Sequence, residues 1–145
     1  MKTSIFTKIL GCILAVAICF AFASCGKQSA AVDIVKNGEF NDYPGMTLEN
    51  KILDIAESND QISVSGMKWQ DVSNDFSSAL NKNQSMVKFE FTMDAPGDAG
   101  KYILLFLVDN ENKSFNAYSV SVNGNVIDTP EDINTFYRRI FNTGN

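Results

Sequence analysis

The chain has no histidine, and only three cysteines, two of which fall inside an N-terminal apolar run. The first absence removes the commonest general base at neutral pH and the commonest metal ligand. It excludes Ser-His and Cys-His nucleophilic machinery. With so few thiolates it also argues against a zinc site. Proline is confined to Pro44, Pro96 and Pro130, which read as two turns and one helix start. There is one tryptophan, Trp69, and there are no repeats or low-complexity tracts. Lysines are scattered in sequence at Lys36, Lys51, Lys68, Lys82, Lys88 and Lys101, and read as solubilising charge. No basic cluster exists to release counterions, so nucleic acid is excluded as a partner.

The N-terminus holds the most specific signal. Lys2 and Lys8 give it a basic start, and residues 9–22 are a nearly unbroken apolar run. That run has the length of a signal core and is short of the roughly 20 residues that span a bilayer. Ala23, Ser24, Cys25 and Gly26 follow, with Phe22 three places before the cysteine. This segment resembles the signal of a bacterial lipoprotein, which implies that Cys25 is acylated and becomes the first mature residue. A second site stays open, because Ala21-Phe22-Ala23 is a small-x-small pattern for ordinary secretion, leaving Ser24 as the N-terminus. Cys12 and Cys19 leave with either signal, so Cys25 is the only cysteine retained and no internal disulfide can form. An exported unpaired thiol is unusual, and lipidation accounts for it.

Removing Lys2 and Lys8 from the twelve basic residues leaves ten against seventeen acids, a net charge of −7. Anionic headgroups would repel such a surface, so the lipid itself would supply the membrane attachment. The expected organisation is a signal at 1–24, a lipidated N-terminus and short tether at 25–33, and one domain at 34–145. The expected location is the bacterial cell envelope.

Within the domain, Thr47 caps a helix over residues 48–57, with Leu48, Ile52, Ile55 and Ala56 on one face. Residues 62–65 alternate as a strand that Gly66 interrupts, and Met67 and Trp69 continue it. Residues 73–84 read as either a single turn capped by Asn74 or a loop. Residues 86–93 place Val87, Phe89, Phe91 and Met93 opposite Lys88, Glu90 and Thr92, giving one wet face. Residues 102–108 are apolar throughout, which predicts a central strand covered on both faces. Residues 115–122 set Tyr118, Val120 and Val122 against Ser119 and Ser121, and Asn123-Gly124 marks a tight hairpin. Thr129, Pro130, Glu131 and Asp132 open a last helix whose core face is Ile133, Phe136, Tyr137, Ile140 and Phe141. The fold class is α+β, a three- to four-stranded antiparallel meander with an N-terminal and a C-terminal helix on one face.

Val35-Lys36-Asn37-Gly38, Tyr43-Pro44-Gly45, Thr47-Leu48 and Trp69 ahead of alternating strands give a second resemblance. They are similar to a small uncharacterised domain at the C-terminal ends of exported bacterial proteins and lipoproteins, and the likeness spans about residues 34 to 140. It implies a fold and assigns no catalytic residue. The helix-plus-meander arrangement is also similar to small envelope lipoproteins and β-lactamase inhibitory proteins, an analogy of architecture alone.

Candidate chemistry is thin. Asp109, Glu111 and Asp128 are the metal candidates, but residues 109–114 lack the central glycine of an EF-hand loop and carry Lys113, so a solvated turn accounts for them. Glu131 and Asp132 are a carboxylate pair that helix capping explains. Gly97 and Gly100 lack the lysine of a phosphate loop and read as a turn. Trp69 reads as core and Tyr43, in a Pro-Gly turn, as surface. No catalytic residue, metal or cofactor is implied. The expected role is a non-catalytic protein-interaction module that takes an envelope protein on an edge strand or on the face of Lys88 and Glu90. The alternative is a small-ligand binder with a pocket between helix and sheet, which would need a cavity lined by core aromatics such as Phe89, Phe106 and Tyr118.

Acylation of Cys25 has a direct readout. Cys25→Ser should release the protein from the membrane or leave the precursor unprocessed, and the intact mature mass of the wild type should carry the lipid. A mature N-terminus at Ser24 with no added mass would establish ordinary secretion instead.

Overall fold

The computed structural model describes residues 28–143, so the signal segment and Cys25 lie outside the described residues. The chain runs α1 (Ala30–Lys36), β1 (Glu39–Phe40), β2 (Tyr43–Thr47), α2 (Leu48–Glu57), β3 (Ser63–Asp71), a short 3-10 helix (Ser73–Phe76), β4 (Gln84–Asp94), β5 (Gly100–Asp109), β6 (Ser114–Val122), β7 (Asn125–Ile127) and α3 (Pro130–Asn142). β3 to β7 form one antiparallel sheet in sequence order, and β1 and β2 form a separate hairpin. The α+β class and the meander stand. The sheet has five strands instead of three or four, and a further helix and hairpin precede α2.

Alternation builds the sheet. Val87, Phe89 and Phe91 of β4 and Tyr102, Leu104, Phe106 and Val108 of β5 are buried on one face. Against them pack Val32 and Val35 of α1, Leu48, Ile52 and Ile55 of α2, and Ile133, Tyr137, Ile140 and Phe141 of α3. Capping sets the helix starts. The Thr47 hydroxyl accepts the Asn50 N–H at 3.4 Å, and the Thr129 hydroxyl accepts the Asp132 N–H at 3.3 Å and donates to the Asp132 carboxylate at 2.7 Å. Asn123 and Gly124 both have positive φ, as the two-residue hairpin between β6 and β7 requires.

Several expectations are corrected. The tether expected at 25–33 overlaps α1, which Ser29 caps by accepting the Val32 N–H at 3.2 Å, and Ala31, Val32 and Val35 are core. Seven residues are too few to nucleate a helix alone, so burial holds α1 in place. The chain leaves α1 through Gly38, whose missing side chain lets the Phe115 ring close in: a Cβ there would stand 2.5 Å from that ring. β5 is central but covered fully on one face only, since Ile103, Leu105 and Leu107 are half-buried on the other. Residues 73–84 form a strap on that outer face. Met86 donates its N–H to the Ser73 hydroxyl and accepts the Val72 N–H, and its side chain is buried there.

Tyr118 is on the wrong face for the alternation. The β5–β6 register shifts between Leu105 and Phe106, so Phe106 pairs with Ala117 while Leu105 pairs with Ser119. Tyr118 is the extra residue of this bulge. It is 48% exposed and meets Phe76 of the strap, with ring centroids 6.5 Å apart.

Phe89 is fully buried, whereas Phe136 is only half-buried, contrary to its expected place in the core. Phe89→Ala should cost about 3–5 kcal/mol, and Phe136→Ala distinctly less. Urea denaturation of the two variants checks the order, and equal losses would show that α3 carries its load through Phe136.

Candidate functional site

The described residues bring no three potential metal ligands together. Asp109 is engaged by its own turn, accepting the N–H groups of Glu111 at 3.0 Å and Asn112 at 3.1 Å and the Asn112 side-chain amide at 2.7 Å. The Asn112 bonds, backbone first, hold its carboxyl below the usual range. Glu111 accepts the Asn83 amide at 2.9 Å. Asp128 belongs to a groove described below. Asp98 of the 96–98 turn pairs with Arg139 of α3 at 3.7 Å.

The lysines are less uniform than their sequence spacing implied. Lys51 is 5% exposed, donates to the Thr143 carbonyl at 2.8 Å and stands 3.8 Å from Asp54, so it ties α2 to the end of α3. Lys36 reaches Glu49 at 3.8 Å. Lys88 and Lys101 flank Glu90 at 3.3 and 3.6 Å, with Lys68 also acting on it. Burial pushes the Glu90 carboxyl up, and the Lys88 bond and the three lysine charges outweigh it, leaving the group below its ordinary value. β4 lies between β3 and β5. The Lys88–Glu90 face is therefore a satisfied ion network on an inner strand and offers no strand edge.

Trp69 is half-buried against the core with its N–H satisfied, as expected. It stacks on Phe89 with centroids 4.1 Å apart and donates its indole N–H to the Glu49 carboxylate at 2.5 Å. Tyr43 is not a free surface residue. It stacks on Phe141 at 4.5 Å, with the two rings nearly parallel. The expected pocket of Phe89, Phe106 and Tyr118 does not form, because the two phenylalanines fill the core and Tyr118 is on the other face.

Two concavities do exist. The smaller, about 320 Å³, is an apolar cleft between α3 and β4–β5, lined by Phe91, Met93, Tyr102, Phe136 and Ile140. The larger is an open groove of about 640 Å³ bounded by residues 38–43, by Lys113 and residues 114–118 of β6, and by the start of α3. It adjoins a feature that alternation alone could not reveal. β7 has only three residues and pairs with Val120, Ser121 and Val122. Among the described residues, therefore, residues 114–119 of β6 have a strand neighbour on the β5 side alone. A run of backbone N–H and C=O groups faces the groove unpaired, a template for another strand. The other sheet edge, β3, is interrupted by a bulge at Gly66 and carries Lys68, two features that discourage pairing.

The groove has a polar anomaly. Tyr137 lines it and is 3% exposed, and its hydroxyl is buried with no partner among the described residues. Its ring is held by Phe40 at 4.7 Å and Phe136 at 5.2 Å. A short β7 could have been read from the sequence, because the polar residues 128–129 and Pro130 cut the strand off early. No known family, characterised protein or solved structure matches the chain. No described helix is long and apolar enough to cross a membrane.

The buried phenol makes the groove testable by pH. Burial holds Tyr137 well above the ordinary phenol value, and burial followed by the Asp98 charge raises Tyr102 despite Arg139. A raised folded-state value stabilises the fold below the unfolded pKa, about 10, and that stability is lost as the pH rises above it. With no histidine, stability should change little from about pH 5 to pH 9 and fall above about pH 10. Tyr137→Phe should flatten the alkaline fall and leave stability at pH 7 unchanged or up to about 1–2 kcal/mol higher, since it removes an unpaired buried group. Chemical denaturation at the two pH values checks this, and a clear loss at pH 7 would show that the hydroxyl is bonded in solution.

Proposed function

We propose that the chain is a lipid-anchored protein of the bacterial envelope whose domain binds another envelope protein and catalyses no reaction. The location rests on the lipoprotein-like segment ending at Cys25. The binding role rests on one observation, the unpaired edge of β6 at residues 114–119 beside an open groove. An added strand gains main-chain hydrogen bonds along such an edge, and neighbouring pockets read its alternate side chains. The carboxylates argue in the same direction, since those at Asp109, Glu111 and Asp132 are committed to turns and caps.

A second reading is favoured by the apolar cleft of about 320 Å³ under α3, which has the size and lining of a small-ligand site. It keeps the idea of a pocket between helix and sheet, with Phe91, Tyr102 and Phe136 in place of Phe89, Phe106 and Tyr118.

Photocrosslinking in cells separates the two. A photoreactive residue at Asn116, exposed on the free edge, should capture one discrete envelope protein, whereas the same group at Lys82 on the strap should not. Crosslinks from Asn116 to lipid alone, with a small apolar molecule surviving purification, would replace the interaction reading with the ligand reading.

A further inference from the structure

Resting on the reading that this domain binds a protein at β6, we propose that the groove takes an extended, cationic peptide segment of the partner, which pairs with residues 114–119 and presents a hydrogen-bond acceptor to the Tyr137 hydroxyl. Three independent observations converge on this occupant. The first is shape. Six residues of unpaired strand give an edge of roughly 20 Å, and the groove runs alongside it, so an extended segment can satisfy backbone and side chains together.

The second is the orphaned donor. Tyr137 lines the groove, is almost wholly buried, and among the described residues has no acceptor for its O–H. A buried hydroxyl without a partner is destabilising, and a strand whose binding shifts the residues that close the hydroxyl off from the groove would bring an acceptor oxygen to it and remove that penalty. The phenol is in its neutral, donating form at any ordinary pH, because burial raises its titration.

The third is charge. Glu39, Asp42 and Asp128 line the groove against one cation, Lys113. The Glu39 carboxylate already accepts the Gly45 N–H at 2.7 Å, which leaves Asp42 and Asp128 as the exposed acids for a ligand. The same observation disfavours a second copy of this chain as the occupant. Joining two β6 edges would set two acidic rims together on chains that each carry a net charge of −7 once the signal is removed. A lysine- or arginine-bearing strand meets the rim without that repulsion.

The test is a titration of the intact mature chain, in detergent, with three eight-residue peptides. All have valine at alternate positions, and the remaining positions are lysine, threonine or glutamate. The lysine peptide should bind best, shifting the backbone amide NMR signals of residues 114–119, about tenfold or more tighter than the threonine peptide at low salt. The advantage should shrink as salt is raised and should vanish in the Asp42→Asn, Asp128→Asn double variant. Tyr137→Phe should weaken the lysine peptide about tenfold while the melting temperature holds or rises, a combination that a merely structural hydroxyl would not give. Equal binding of the lysine and threonine peptides at 114–119 would keep strand addition and overturn the cationic occupant. Undiminished binding to Tyr137→Phe would overturn the role given to its hydroxyl. Failure of all three peptides to shift residues 114–119 would overturn both the occupant and the strand-edge reading beneath it, and shifts confined to Lys88, Glu90 and Lys101 would do the same.

Discussion

The fold hangs on the ring of Phe106. It stands at the middle of the central strand, fully buried, and four other elements reach it. Phe40 of the hairpin, Trp69 of β3, Phe115 of β6 and Tyr137 of α3 have ring centroids 5.9–6.3 Å away. Phe40 repeats the pattern one layer out, meeting Phe115, Tyr137 and Phe141. A two-residue strand such as β1 cannot be stable by its own hydrogen bonds, so its place is set by this aromatic interlock. Residues 28–143 contain no cysteine and so no disulfide, and such a fold has to find rigidity in packing of this kind, where aromatic pairs contribute beyond the area they bury.

The interlock also borders the place where the sheet stops. Phe115 is drawn inward under Gly38, and the bulge that follows turns Tyr118 outward. β7 ends at Ile127, and the chain turns through Asp128 into the capped start of α3, which leaves the space beside residues 114–119 as an open groove walled by the hairpin. The open edge is thus a consequence of the early start of α3. It persists because the hairpin stands close enough to wall a groove and makes no ladder with β6. Charge completes the protection, since acidic residues around the groove deter the same edge in another copy.

Much of this was legible in the sequence. Alternation at residues 86–93, continuous apolarity at 102–108, the Asn123-Gly124 turn and the Thr-Pro-acid start of α3 each encode structure locally, and each is found. What escaped is what long-range contact decides. α1 is too short to signal itself and is held by Val32 and Val35 in the core. A bulge opposite Phe106 reverses the faces of part of β6, and no local pattern marks it. Tyr43 reads as a turn residue until Phe141, almost a hundred positions later, stacks on it. Lys51 reads as surface charge until the end of α3 supplies a carbonyl for it. The groove escaped for the same reason, being made of three segments distant in sequence and a strand that ends early.

Geometry links the anchor to the groove. On the lipid-anchored reading, only residues 26–29 separate Cys25 from the first residue of α1, a reach of at most about 18 Å. α1 adds roughly 10 Å along its axis and ends beside Gly38, where the groove begins. A strand entering the groove would therefore lie within about 30 Å of the bilayer surface. Lys36 at the end of α1 is drawn to Glu49 of α2, so that end of the helix is fixed to the domain. The acidic domain is itself repelled by anionic headgroups, which favours orientations that hold its surface off the membrane at the limit of the tether. On that reading, a strand that pairs with residues 114–119 would come from near the same membrane, within the reach that residues 26–29 allow.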